Sequence, residues 1–119
     1  MPAAKQNLLI EQGTTWRYAL ELKAGVKATD PALNLTGYTA QMQLRSDIDS
    51  AIPIIALTIA NGRITTAPLL GRLELLLSAT ETAALSFDRA VYDLEITSAG
   101  GEVTRVLQGS VALSKEVTR

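Results

Sequence analysis

The stretch "SFDRAVYDLEI", Ser86 to Ile96, decides the fold. From Ala90 onward the residues alternate: Tyr92, Leu94 and Ile96 fall on one side, Asp93, Glu95 and Thr97 on the other. That is the period of a strand with one buried face. Asp88 and Tyr92 stand at the entrance to this strand, with no imidazole or thiol anywhere in the chain to work with them. Just upstream, Ser78 and Glu81 have the S-x-x-E spacing of a capping box, and Ala79, Ala83 and Ala84 favour helix. One helical turn is therefore expected over residues 79–85. An acid and a tyrosine between a helical turn and an alternating strand call for a structural explanation.

Working outward, the period of two recurs. In "TWRYALELK" it sets Trp16, Tyr18, Leu20 and Leu22 against Arg17, Ala19, Glu21 and Lys23. In "YTAQMQLR" it sets Tyr38, Ala40, Met42 and Leu44 against Thr39, Gln41, Gln43 and Arg45. "RLELLLS" offers Leu73, Leu75 and Leu77 as its inward row. "QNLLIEQ" opens the fold, and "IPIIALTI" reads as an edge strand because Pro53 has no amide to give a ladder. Asn61-Gly62 favours a tight hairpin, so residues 52–59 are expected to pair with 63–67. Gly100-Gly101 joins residues 90–97 to 103–113, and Gly109 is expected to mark a bulge in that last strand. The longest irregular segment, residues 24–37, is a candidate contact surface.

Eight short strands joined mostly by turns describe an all-β protein, an antiparallel β-sandwich of seven to eight strands. In immunoglobulin-like sandwiches a tyrosine near the start of strand F bonds back to upstream backbone at the E–F corner. Asp88 and Tyr92 resemble that tyrosine corner, with Asp88 bracing the turn and Tyr92 pinning it. Leu94 stands where antibody-type domains carry cysteine, and the only tryptophan lies in the second strand, so the likeness is to the broad Ig-like architecture. The expected fold is one domain, residues 1–119, with one short helical turn between strands E and F.

Composition narrows function by exclusion. The 119 residues carry 11 basic and 12 acidic side chains, a net charge of −1, which leaves no electrostatic footprint for nucleic acid. Five aromatic residues are too few for a base-stacking platform. Without Cys or His there are no disulfides, thiol nucleophiles, imidazole bases or ordinary zinc sites. Neither a signal-peptide core nor a membrane-length apolar run is present, so a soluble protein that engages no membrane is expected.

The remaining constellations read as ordinary surface. Asp47 and Asp49 supply two oxygens where a hard cation wants six to eight, so a polar turn is expected. Asp93 and Glu95 lie on the solvent side of their strand. Ser114 and Lys115 are adjacent on a strand and point to opposite faces. No catalytic, cofactor-binding or metal-binding residue is assigned, and no enzyme activity is expected. Apolar side chains are in surplus for a two-layer sandwich: Ile54 and Ile55 cannot both face one core, and Leu69 and Leu70 sit in a turn. Trp16, Ile54, Leu69 and Leu70 are accordingly the candidate interface residues.

The segments "LLIEQGTTWRYALELK", "LNLTGYTAQMQLRS", "LTIANGRIT", "GRLELLLSATETAAL" and "AVYDLEITSAGGEVTRVLQGSVALSKEVTR" together resemble a family of small proteins of tailed bacteriophages and prophages. "LTGYTAQMQLR", Leu35 to Arg45, is similar to the Ig-like N-terminal domain of phage upper baseplate and fibre-attachment proteins. The resemblance implies a structural component of the virion, made in the host bacterial cytoplasm. It would be an adaptor of tail, neck or baseplate that binds other phage structural proteins and forms a homo-oligomer in the assembled particle. In baseplate proteins a helical or fibre-forming part follows the domain, whereas this sequence stops at Arg119 and is expected to stand alone. The alternatives are a capsid decoration protein and a stand-alone module that binds the host surface.

Overall fold

A computed structural model describes residues 3–25, 27 and 29–118. Its strands are β1 (Ala4–Lys5), β2 (Leu8–Glu11), β3 (Trp16–Glu21), β4 (Thr39–Arg45), β5 (Ile55–Thr58), β6 (Ile64–Ala67), β7 (Arg72–Leu77), β8 (Arg89–Thr97) and β9 (Val103–Ser114). A 3-10 turn, Pro68–Leu70, precedes β7, and helix α1 (Ala79–Ala83) follows it. β1 and β2 keep one register on β9, with Ala4 opposite Leu107 and Leu8 opposite Val111, so they are two halves of one strand. Counted that way the strands number eight.

Two sheets face each other. One runs β1/β2–β9–β8–β4–β5 and the other β3–β7–β6. This is the Ig-like order A-G-F-C-C′ over B-E-D, with α1 between strands E and F. The pairing is antiparallel except at the first strand, which runs parallel to β9. The alternating segments place their inward rows as the period requires. Met42, Leu44 and Leu94 from one sheet meet Leu73, Leu75 and Leu77 from the other, all at 0–1% exposure. Burial of such a row is the main stabilising term, roughly 1.5–3 kcal/mol for each large side chain.

Helix α1 forms for the reason its sequence suggests. Ser78 accepts the Glu81 amide, and the Glu81 carboxylate accepts the Ser78 amide, completing the capping box. The Ser98–Glu102 turn joins β8 to β9 as expected, with Gly101 in the left-handed region at φ 92°.

Two turn expectations are corrected. Residues 52–59 and 63–67 do not pair: β5 pairs with β4 in one sheet and β6 with β7 in the other. A two-residue type I′ hairpin needs left-handed backbone at both central positions, and here only Gly62, at φ 78°, has it. The Gly62 amide bonds the Ile59 carbonyl, making a turn that carries the chain across the open side of the sandwich. Asn61 holds this crossing, accepting the Thr58 and Arg63 amides on Oδ1 and donating Nδ2 to the Ala56 carbonyl.

Gly109 does not mark the bulge. The register shift falls where Leu94 and Glu95 face Leu107 and Arg105, leaving Val106 as the extra residue. Gly109 serves close approach instead, since a Cβ there would lie 2.3 Å from the Gln6 carbonyl oxygen.

The segment between β3 and β4 folds back on the sandwich. Lys23 bridges Ala32, the Leu33 amide bonds the Leu22 carbonyl, and Leu35 is buried against the core. Val26 and Ala28, within the expected contact surface of residues 24–37, lie outside the described residues.

Candidate interaction surface

The opening pair separates. The Tyr92 hydroxyl donates to the Gln6 carbonyl at 2.6 Å, between β1 and β2, and not to the E–F corner. The tyrosine-corner reading is therefore corrected. Tyr92 is an inward residue of β8 directly opposite Gly109 on β9. Without a side chain at Gly109, the first strand comes close enough for the phenol to reach its backbone. The Asn7 carboxamide takes over the ladder at this point, accepting both the amide and the hydroxyl of Ser110. Burial pushes the Tyr92 phenol well above the usual tyrosine range, with Tyr18 adding to the effect. The hydroxyl thus remains a donor.

The Asp88 side chain is 97% exposed and makes only a surface ion pair, 3.6 Å from Lys115 Nζ. Its backbone carbonyl accepts the Leu113 amide, and Lys115 reaches the Ser86 carbonyl. Thr82, fully buried in α1, is a further residue that fixes the E–F region. Its hydroxyl accepts the Gly13 amide at 3.0 Å and donates to the Thr14 carbonyl at 2.7 Å. No sequence signal singled out Thr82, because one threonine in an alanine-rich helix looks like surface.

A second anchor joins both sheets. Arg63 bonds Glu81 on α1 through Nε and the Ala56 carbonyl on β5 through Nη1. The backbone amide of Ser78, followed by Arg63, holds the Glu81 carboxyl below its ordinary value, against the opposing effect of burial.

The four candidate interface residues divide into core and surface. Trp16 is 9% exposed, stacks on Tyr18 at 6.3 Å and donates Nε1 to the Leu9 carbonyl. It is a core residue, and its expected interface role is corrected: the alternation that makes β3 a strand turns Trp16 inward. Leu69 and Leu70 remain 78% and 59% exposed on the 3-10 turn, and Ile54 is 37% exposed.

These exposed residues do not form one patch. Leu69 and Leu70 follow Ala67, whose register partner is Arg72, at the end of the sandwich where Glu21 also lies. Ile54 bonds the Leu44 carbonyl at the opposite end, beside Arg63 and Glu81. There it joins Ile48 and Ile52, 85% and 78% exposed, in the β4–β5 connection. That connection is not loose. Arg45 donates to the Ser50 carbonyl, and Asp47 accepts the Asp49 amide in an Asx turn, the polar turn expected of the two aspartates.

Ile48 overhangs a shallow depression of about 650 Å³ on the outer face of the larger sheet. The floor carries mixed charge: Arg45, Asp93, Glu95 and Arg105, with Asp93 paired to Arg105 at 3.4 Å. Among the described residues, no three metal-capable side chains come together and no helix is long and apolar enough to cross a membrane. What the arrangement offers chemically is contact area: apolar ends, a mixed-charge face and sheet edges. No protein-family model matches the chain, and no curated protein matches it.

Proposed function

We propose that the protein is a structural component of a tailed-phage virion, an adaptor of the tail, neck or baseplate that works through protein–protein contacts. The observation that carries this reading is that exposed apolar residues lie at both ends of one sandwich, in addition to Leu9 and Ile59 elsewhere on it. Ile48, Ile52 and Ile54 lie at one end, Leu69 and Leu70 at the other. An adaptor needs two separate contact regions so that it can touch two neighbours at once, and scattered single apolar residues would not provide them. The likeness of Leu35–Arg45 and the flanking segments to phage Ig-like domains supplies the virion context. The sequence has no His or Cys, and the reading assigns the protein to binding.

Gold-labelled antibody against the protein, applied to intact phage particles and imaged by electron microscopy, tests the proposal. Label at the tail or neck is expected. Label over the head would replace the adaptor role with decoration, and unlabelled particles would withdraw the virion role.

A further inference from the structure

The sandwich has four sheet edges, and they are not equally guarded. β5 is four residues long and follows Pro53; β6 is four residues long and ends at Pro68. The β1/β2 edge is interrupted at Gln6 and Asn7. Short strands, prolines and breaks are the usual devices that keep edges from pairing with other chains. β3 has none of them. It runs six residues in unbroken register with β7, holds no Pro, Gly or Lys, and among the described residues pairs with nothing on its other side.

The direction of its free groups follows from one hydrogen bond. The Leu22 amide donates to the Gly71 carbonyl, on the β7 side. Alternation then turns the amides and carbonyls of Glu21, Ala19 and Arg17 toward the open side. Beyond the buried Trp16, the core-facing side of this strand and of Leu22 just after it is incompletely covered. Tyr18, Leu20 and Leu22 are half-buried, whereas Leu73, Leu75 and Leu77 on the neighbouring β7 are 0–1% exposed.

We propose that the open edge of β3 docks a second copy of this chain, antiparallel about a two-fold axis through Ala19. Arg17 of each copy then lies directly opposite the partner's Glu21, with the small Ala19 side chains meeting at the axis. Three strands from each copy form one continuous sheet. On its outer face a charge row alternates in sign, because Glu21 already stands beside Arg72 within its own sheet. On its inner face Tyr18 packs against the partner's Leu20.

The charges also select this register. Sliding by one pair sets Arg17 against the partner's Lys23 in one direction and against the partner's Ala19 in the other. Either slip loses the complementary pairs, and the first creates like-charge contacts. The inference concerns the chain itself and stands whether or not the virion reading does.

The test uses the whole chain in sedimentation over a concentration series. A reversible dimer is expected. Arg17→Glu or Glu21→Arg alone should weaken it by about tenfold, since each reversal alters two pairs in a two-fold dimer, and the double exchange should restore it. The present contacts of these residues with Glu74 and Arg72 are exposed, so the variants keep the fold. Cysteine is absent from the chain, so Ala19→Cys introduces a single thiol. Paired Ala19 positions would stand about 5.5 Å apart, within disulfide reach, so mild oxidation should link Ala19→Cys dimers. Thr65→Cys, exposed on β6, should not link. A monomer at every concentration would overturn the proposal. So would a dimer whose strength ignores both charge reversals and whose Ala19→Cys form stays unlinked.

Discussion

Tyr92 shows how one side chain can be placed correctly by its sequence context and yet act elsewhere. Its alternation puts it in the core, but its partner, Gln6, lies 86 positions away on a strand that the local sequence does not mention. Tyr92→Phe keeps the ring and leaves the Gln6 carbonyl without its partner. We expect a loss of about 1–3 kcal/mol, read from the urea midpoint at unchanged slope. A loss below about 0.5 kcal/mol would mean that water replaces the phenol. Glu81 makes a pH-dependent prediction. Its folded carboxyl is held below the ordinary value of 4.5, first by the Ser78 amide and then by Arg63, so its contribution is present above that pH. The contribution is lost as pH falls through the folded value. The stability gap between the native protein and Glu81→Gln should therefore be widest near neutrality and close below pH 4.5. A gap that stays constant through acid would show that the pairing depends on shape and not on charge.

At the scale of elements, what could be read from sequence was whatever depends on neighbours in the chain. The alternating rows of β3, β4, β7 and β8 and the capping box of α1 are set by side chains within a few positions of one another, and each forms where its pattern falls. The exposure of Leu69, Leu70 and Ile54 was equally local, since a turn or a doubly apolar pair cannot bury every side chain. Choices among distant partners were not legible. Asn61-Gly62 has the composition of a hairpin, but Leu57 and Ile64 on either side are buried in opposite sheets, and that tertiary demand outweighs the local turn preference. The crossing turn also differs from a hairpin in what it asks of Asn61. A type I′ hairpin tolerates Gly at that position. In the observed turn the side chain itself carries hydrogen bonds to Ala56, Thr58 and Arg63. Asn61→Gly should therefore destabilise by about 1–3 kcal/mol in a denaturant titration. A neutral result would mean that water replaces the Asn61 side-chain bonds.

The whole molecule is longer than a compact chain of its size needs to be. Its extents are 44 × 28 × 26 Å and its radius of gyration is 14.7 Å, against about 13.5 Å for a typical domain of this length. Length along the strands separates the two apolar ends, and one continuous core joins them. The anchors at Thr82 and Arg63 tie the Ile48 end to both sheets, so that end is held in position by bonds that do not involve its isoleucines. Ile48 and Ile52, at 85% and 78% exposure, thus contribute little to folding. Replacing both by Asn should leave the urea midpoint within about 0.5 kcal/mol of the native value, the range of ordinary surface changes. The same double variant should fail to incorporate into particles if this end meets a neighbour in the virion. If fold and contact are separate there, the two readouts diverge. A variant that unfolds early would place the isoleucines in the fold, and one that is stable and still incorporated would move the contact to the Leu69–Leu70 end.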